Sequence, residues 1–422
     1  MHATESLLAF VLLQLVIVIA AGRAGGIAAR RVGQSPAVGE IIVGILLGPS
    51  LFGLVAPETF AFVFRTAPAE PMLILSQVGL LLLMFQIGLE FDFSHLTDAR
   101  HRRSVVAVSV ATLGLPFILG LAFGWLTAGR LSPQADPLAS SLFIATAFSI
   151  TALPILGRIM IEFDIARTPL GVIAISAAAV NDVVGWVLLA AVSALAAAGF
   201  SGSAFAMNLG LLAAFVLACW VVARPLARRA YRALAPRHGD TSALGDSQMA
   251  MLLVVVFAGG LATYKLGIFA IFGGFLAGVL LHDEPGLLPG WRARVGQFVL
   301  VFFLPIFFTY TGLRTEVGSL DSPEAWGWCA LLVLLASAGK LGGAYLAGRW
   351  TGLSHDESCV LGVMMNTRAL MELVVINVGH DLGVISSQVF TMLVIMALAS
   401  TVVTTPGLRR WLPRAGLARP PA

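Results

Sequence analysis

The chain has 422 residues, of which 58% are hydrophobic and only 11% charged, and its mean hydropathy is +0.93. A soluble domain needs far more charge to cover its surface, so this composition excludes a water-soluble globule and makes the bilayer the solvent. The formal net charge of +4 would suggest an anionic partner in a soluble protein. In a membrane protein basic loops have a topological explanation, and no nucleic acid is implied.

Apolar runs long enough to cross a hydrocarbon core of about 30 Å predict an all-α polytopic membrane protein with about thirteen transmembrane segments. They lie near 5–22, 36–53, 72–90, 104–128, 138–160, 170–198, 205–223, 248–265, 268–282, 295–313, 325–347, 358–379 and 386–408. The first begins directly after Ser6 with no small-residue cleavage site, so it is expected to be a retained helix. The second carries Glu40 and the third carries Gln86 and Glu90; both glutamates are placed near helix ends, within reach of water or headgroups. Gln86 is expected to do no more than pack helices.

The fifth segment contains Ser149-Ile150-Thr151-Ala152-Leu153-Pro154. Pro154 has no N–H to donate and clashes with the preceding turn, which predicts a broken helix. Freed carbonyls and the hydroxyls of Ser149 and Thr151 are hard oxygen ligands suited to a small alkali cation; the simpler alternative is a proline kink with back-bonded hydroxyls. The sixth segment carries Asn181 and Asp182. Asp182 lies about eleven residues from the segment start, or roughly 17 Å deep, close to mid-bilayer. A carboxylate there lowers its cost by taking up a proton or a cation. Lys340, one of only two lysines, falls within the eleventh segment. A buried amine can titrate, or it can snorkel to the surface. The twelfth has Asn366-Thr367-Arg368 at its middle and Glu372 one turn on, an i, i+4 pair that can neutralise itself. Cys219, Cys329 and Cys359 show neither disulfide nor metal-site spacing.

The two halves of the chain resemble each other. Gly39-Glu40-Ile41-Ile42-Val43-Gly44-Ile45-Leu46-Leu47 aligns with Gly273-Gly274-Phe275-Leu276-Ala277-Gly278-Val279-Leu280-Leu281. Gly88-Leu89-Glu90-Phe91-Asp92 aligns with Gly312-Leu313-Arg314-Thr315-Glu316, and Thr151-Ala152-Leu153 with Arg368-Ala369-Leu370. The matches keep their order an odd number of segments apart, so the second copy is inverted across the membrane. That arrangement is a hallmark of secondary transporters, with a midplane site at discontinuous helices. The expected division is a first repeat over 1–204, a linker helix with a basic loop over 205–246, a second repeat over 247–408, and a tail over 409–422. With the N-terminus outside, one set of alternate loops, with the tail, holds 20 of the 26 Lys and Arg. The other set receives only Arg65, Arg130, Lys265 and Arg314. This places the C-terminus in the cytoplasm of a cell whose inner membrane holds the protein.

The stretches PAVGEIIVGILLGPSLFG, FQIGLEFDF, SAAAVNDVVGW and LGVMMNTRALMELVVINVGHDLGV, spread over nearly the whole chain, resemble the monovalent cation/proton antiporters of the Kef-like and plant cation/proton-exchanger branch. The resemblance implies inverted repeats with two crossed discontinuous helices, a scaffold domain, a mobile core domain and a homodimer. It implies that Asp182 binds cation and proton in turn, that Asn181 is the Asn-Asp variant of the motif, that Lys340 faces that motif and that Thr151 lies in the first broken helix. Sodium or potassium and protons are then cargo, with no cofactor. With only a short segment after 408, no nucleotide-binding regulatory domain is expected in this chain. The nearest rivals are a sodium-coupled organic-anion symporter of the same plan and a cation channel; no hydrolase or protease signature points to an enzyme.

Overall fold

A computed structural model describes residues 2–34, 36–66, 68–90, 102–152, 156–157, 159–160, 163, 165, 168–197, 202–235, 244–266, 270–368 and 370–417. Leu153, Pro154, Ala369, Phe91, Asp92 and the loop or tail residues Arg100, Arg158, Arg167, Arg237 and Arg419 lie outside these. The described residues form helices and turns, with no strand among them.

The main helices are α1 (His2–Arg31), α2 (Pro36–Leu47), α3 (Glu70–Leu89), α4 (Arg102–Leu131), α5 (Pro137–Ser149), α6 (Pro169–Ala197), α7 (Gly202–Ala218) and α8 (Arg224–Ala233). They continue as α9 (Asp246–Lys265), α10 (Ala270–Leu281), α11 (Leu304–Leu313), α12 (Pro323–Trp350), α13 (His355–Met365), α14 (Leu370–Asp381) and α15 (Ser387–Trp411). Nine spans among the described residues are long and apolar enough to cross a membrane, and α5 and α10 are shorter apolar helices. The chain is a multi-pass membrane protein. Start signals are local: Asp136 accepts from the backbone N–H groups of Leu138 and Ala139 at 2.9 Å, with Pro137 at the first helical position. Ser354 and Glu357 cap α13 reciprocally.

Two of the expected spans are interrupted. The fifth stops at Ser149; Ile150 turns extended with ψ 146°, and Thr151 and Ala152 are non-helical. The twelfth stops at Met365, passes through non-helical Thr367 and Arg368, and resumes at Leu370.

The residues divide into two compact units that interleave along the chain and do not follow the sequence halves. The first comprises Met1–Arg23, Ala56–Asp92 and Ser193–Tyr310. In it Gln14 donates to the Val63 carbonyl at 2.7 Å, and Arg228 and Arg232 clasp the buried Glu284. Glu90 accepts from Gln86 at 3.0 Å and pairs with Arg292 at 2.8 Å, so Gln86 is a helix-end hydrogen bonder. The second unit comprises Ala24–Val55, Phe93–Val192 and Thr311–Ala422, and contains every residue of the candidate site. Here Glu40, expected at a wet helix end, is instead buried within α2, where Gly25 and Gly39 bring α1 and α2 close.

Glycine packing repeats between the units. In the second, Gly25 meets Gly39 and Gly44 meets Gly312; in the first, Gly259 meets Gly273 and Gly278 meets Gly88. At each of these contacts an added Cβ would overlap the opposing backbone, so the helices approach to distances only glycine allows.

Candidate ion-binding site

The two interruptions meet. The Ala152 N–H donates to the Thr367 carbonyl at 3.2 Å, tying one break to the other. The Thr401 hydroxyl donates to the Arg368 carbonyl at 2.9 Å, and the Thr367 hydroxyl donates to Thr404 at 3.3 Å. Backbone groups released by the breaks are thus taken up by protein, as non-helical chain at membrane depth requires.

A helix ending in a membrane leaves its last carbonyls without partners and its C-terminal end with a partial negative charge. The end of α5 is answered by two cations. Arg368 donates to the Ala147 and Phe148 carbonyls, both at 2.9 Å, and to the Ala336 carbonyl at 3.1 Å. Lys340 donates to the Ser149 carbonyl and, at 2.7 Å, to the Thr151 hydroxyl. Both side chains are 0% exposed, so Lys340 does not snorkel. Arg368 also pairs with Glu372 at 3.1 Å, which puts the acid in the first turn of α14, at the positive end of that helix.

Asp182, 1% exposed, sits near the middle of α6, about 20 Å along the helix from Pro169. Its field and that of Glu372 reach Lys340 from the acidic side, and that of Arg368 from the basic side. Asn181 is buried against α4. In the amide orientation that pairs each atom, its oxygen accepts from the Thr112 hydroxyl at 2.8 Å and its nitrogen donates to the Ser109 and Ala177 carbonyls. Thr112 was not singled out in the sequence; a lone threonine in an apolar segment gives no signal until its partner is known.

The expected oxygen ligands are engaged by protein in this structure. The Ser149 hydroxyl is back-bonded to the Ala145 carbonyl at 2.8 Å and reaches the Leu113 carbonyl at 3.1 Å, and the Ser149 carbonyl and Thr151 hydroxyl serve Lys340. Asn366 Oδ1 and Glu372 Oε2 are buried acceptors with no hydrogen bond. A buried acceptor of that kind is what a water or a cation satisfies. Taken as ions, Asp182, Glu372, Lys340 and Arg368 sum to zero, a neutral cluster of four charges within one unit.

The sequence profile described as sodium/hydrogen exchanger, transmembrane, matches residues 15–413. The chain belongs to the sodium/hydrogen exchanger family. This is a family of transporters, not enzymes. Within it the chain is similar to the Na(+)/H(+) antiporter NhaS4 of Synechocystis, at 35% identity over 96% of this chain and 97% of that protein. It is 33% identical to cation/H(+) antiporter 17 of Arabidopsis thaliana over 95% of its own length, but spans only 48% of that plant relative. Among solved structures, the sodium proton antiporter MjNhaP1 of Methanocaldococcus jannaschii superposes with a TM-score of 0.67 over 97% of this chain and 98% of that one. At 14% identity that likeness speaks for the exchanger fold alone.

Proposed function

We propose that this exchanger-family chain carries a monovalent alkali cation, sodium or potassium, in one direction and protons in the other, by alternating access. The observation that carries the reading is Asp182: a carboxyl buried mid-helix at membrane depth, in the same unit as two interrupted helices, the carbonyl end of the first of which is held by Lys340 and Arg368. A carboxyl there is a site that one proton or one small cation fills, and in the empty, ionised state it brings the cluster with Lys340, Arg368 and Glu372 to zero net charge. Asp182 is the carrier and Asn181 holds α6 against α4 through Thr112. Thr151 and Ser149 contribute oxygens when Lys340 moves off them. Lys340, Arg368 and Glu372 are supporting charges. The names of the relatives, which join cation to proton exchange, agree with this role.

The architecture proposed is an inverted repeat, 1–204 against 247–408, with two crossed discontinuous helices. The glycine contacts support it: the Gly44–Gly312 contact has its counterpart in Gly278–Gly88, each joining one half to the other, and Gly25–Gly39 has its counterpart in Gly259–Gly273. We further propose a homodimer, as the family resemblance implies, in the inner membrane; the basic loops support an N-terminus outside and a C-terminus in the cytoplasm.

The deciding experiment uses purified protein in proteoliposomes, with internal pH followed as lithium, sodium, potassium and rubidium are added outside in turn. Cation-dependent proton flux that vanishes in Asp182→Asn supports the reading. Flux of an organic anion driven by sodium, with no proton movement, would overturn it.

A further inference from the structure

The second unit carries a groove outside the ion site, between the start of α4 and the end of α12, with a cavity volume of about 980 Å³. Deeper along these helices there is no gap: a Cβ on Gly343 would come within 2.6 Å of the Ala111 carbonyl oxygen, and one on Gly339 within 3.0 Å of the Pro116 backbone. The helices part toward the Arg102 end. There the groove is lined by Arg102, Arg103, Val106, Val110, Leu346 and Trp350.

Its chemistry is divided along its length. Val106, Val110 and Leu346 are exposed aliphatic side chains on membrane-spanning helices, so this wall faces hydrocarbon. The mouth holds two guanidinium groups. The Arg103 guanidinium lies 5.3 Å from the ring centre of Trp350, which is 70% exposed, an aromatic at the level where such rings meet headgroups. No carboxylate among the described residues pairs with Arg102 or Arg103. The neighbouring Arg349 is turned away, its guanidinium donating to the Leu353 carbonyl at 2.8 Å. The first turn of α4 adds its own positive end at the same place.

Two arginines without a carboxylate partner among the described residues, above an apolar, bilayer-facing trough, match an amphiphile with an anionic head and an alkyl tail. We propose that this groove binds an anionic phospholipid, its phosphate on Arg102 and Arg103 and an acyl chain along Val106, Val110 and Leu346. A free phosphate ion would use the arginines and leave the trough unfilled. A bound lipid of this kind bridges α4, which carries Thr112 beneath Asn181, and α12, which carries Lys340. The inference concerns binding only and does not depend on which ion the protein carries.

The test is native mass spectrometry of the full-length protein in detergent, titrated with phosphatidylglycerol or with phosphatidylcholine of the same chains. The wild type should retain phosphatidylglycerol in preference. Arg102→Gln with Arg103→Gln should weaken that retention by about fivefold per arginine, about 25-fold for the pair, and leave phosphatidylcholine unchanged. Leu346→Trp, which fills the trough and keeps both charges, should also displace the anionic lipid; it decides the matter if the arginine variant does not fold. Equal phosphatidylglycerol retention in wild type and Leu346→Trp would overturn the proposal, as would equal retention in a folded arginine variant. Displacement of the lipid by millimolar inorganic phosphate would reassign the site to the free ion.

Discussion

The side chains at the centre of this protein are distinguished by what their charges are asked to hold. Arg368 and Lys340 satisfy the last three carbonyls of α5, so their first task is to make an unfinished helix end tolerable inside a membrane. Asp182 has a different standing, since α6 runs through it without a break. Asp182→Asn is nearly isosteric and removes a buried charge, so the variant should fold with unchanged or raised thermal stability. It should show no cation-dependent proton flux, and residual flux in a monodisperse preparation would take the carrier role from Asp182. Thr151→Val tests the neighbouring oxygen. It removes the acceptor of a 2.7 Å bond from Lys340, which should cost about 1–3 kcal/mol of stability. It should also raise the apparent KM for the cation more than it lowers the maximal rate. A stability loss with KM unchanged would leave Thr151 as a rest for Lys340 and nothing more.

Between elements, close packing rests on glycine and on charge clasps. Gly312→Ala places a methyl against the Gly44 backbone, where no flexible side chain can yield, and should cost about 1–3 kcal/mol. Gly88→Ala, its counterpart against Gly278, should cost a similar amount. Gly114 lies within α4 with open space beside it, so Gly114→Ala should be neutral or stabilise slightly, by about 0.5–1 kcal/mol. Thermal unfolding of the three variants in one detergent compares them directly; equal effects at all three would remove the case for glycine-specific contacts. Glu284, beyond the end of α10, is the clearest pH-linked clasp. Burial pushes its carboxyl up, but hydrogen bonds and charge from Arg232 and Arg228 outweigh this and hold it below the ordinary glutamate value. A depressed folded pKa gives stability that is fully present above the unfolded value of about 4.3 and is lost as pH falls through the folded one. Glu284→Gln should therefore lower stability at pH 7 by about 1 kcal/mol, the exposed Arg232 partner limiting the effect. The gap to wild type should close below about pH 4. A gap that persists unchanged into acid would mean that Glu284 acts through packing alone.

For the molecule as a whole, charge balance sets what one transport cycle moves. Protonated Asp182 and cation-bound Asp182 leave the cluster with Lys340, Arg368 and Glu372 at the same total. Asn181 offers no second carboxyl, and its amide is committed to Thr112, Ser109 and Ala177. Exchange should therefore be electroneutral, one cation for one proton. Release of a second proton from Lys340 would move a net charge worth about 2.3 kcal/mol per 100 mV. Clamping a potential across proteoliposomes with a selective ionophore separates the two: a rate or end-point that follows the potential refutes one-for-one exchange and points to Lys340.

The sequence alone determines the solvent, the helical class, the inventory of intramembrane charges and the family, because each follows from local composition or from residues adjacent in the chain. For the interruptions it offers less: Pro154 predicts a break in the fifth segment, with a kink as the alternative, and Asn366-Thr367-Arg368 marks the middle of the twelfth as polar without saying that the helix stops there. Only the tertiary structure decides who answers those interruptions. Lys340 and the Ser149 carbonyl are far apart in sequence, and nothing local to either says that the amine caps the helix. The same holds for Thr112 beneath Asn181, for Glu40, which hydropathy puts at a wet end and packing buries, and for Gly44 and Gly278, whose spacing repeats visibly while their partners Gly312 and Gly88 lie in the opposite half of the chain. Burial and hydrogen-bond satisfaction depend on which helices meet, and that depends on the whole chain folding in lipid, where every backbone group must find a partner within the protein.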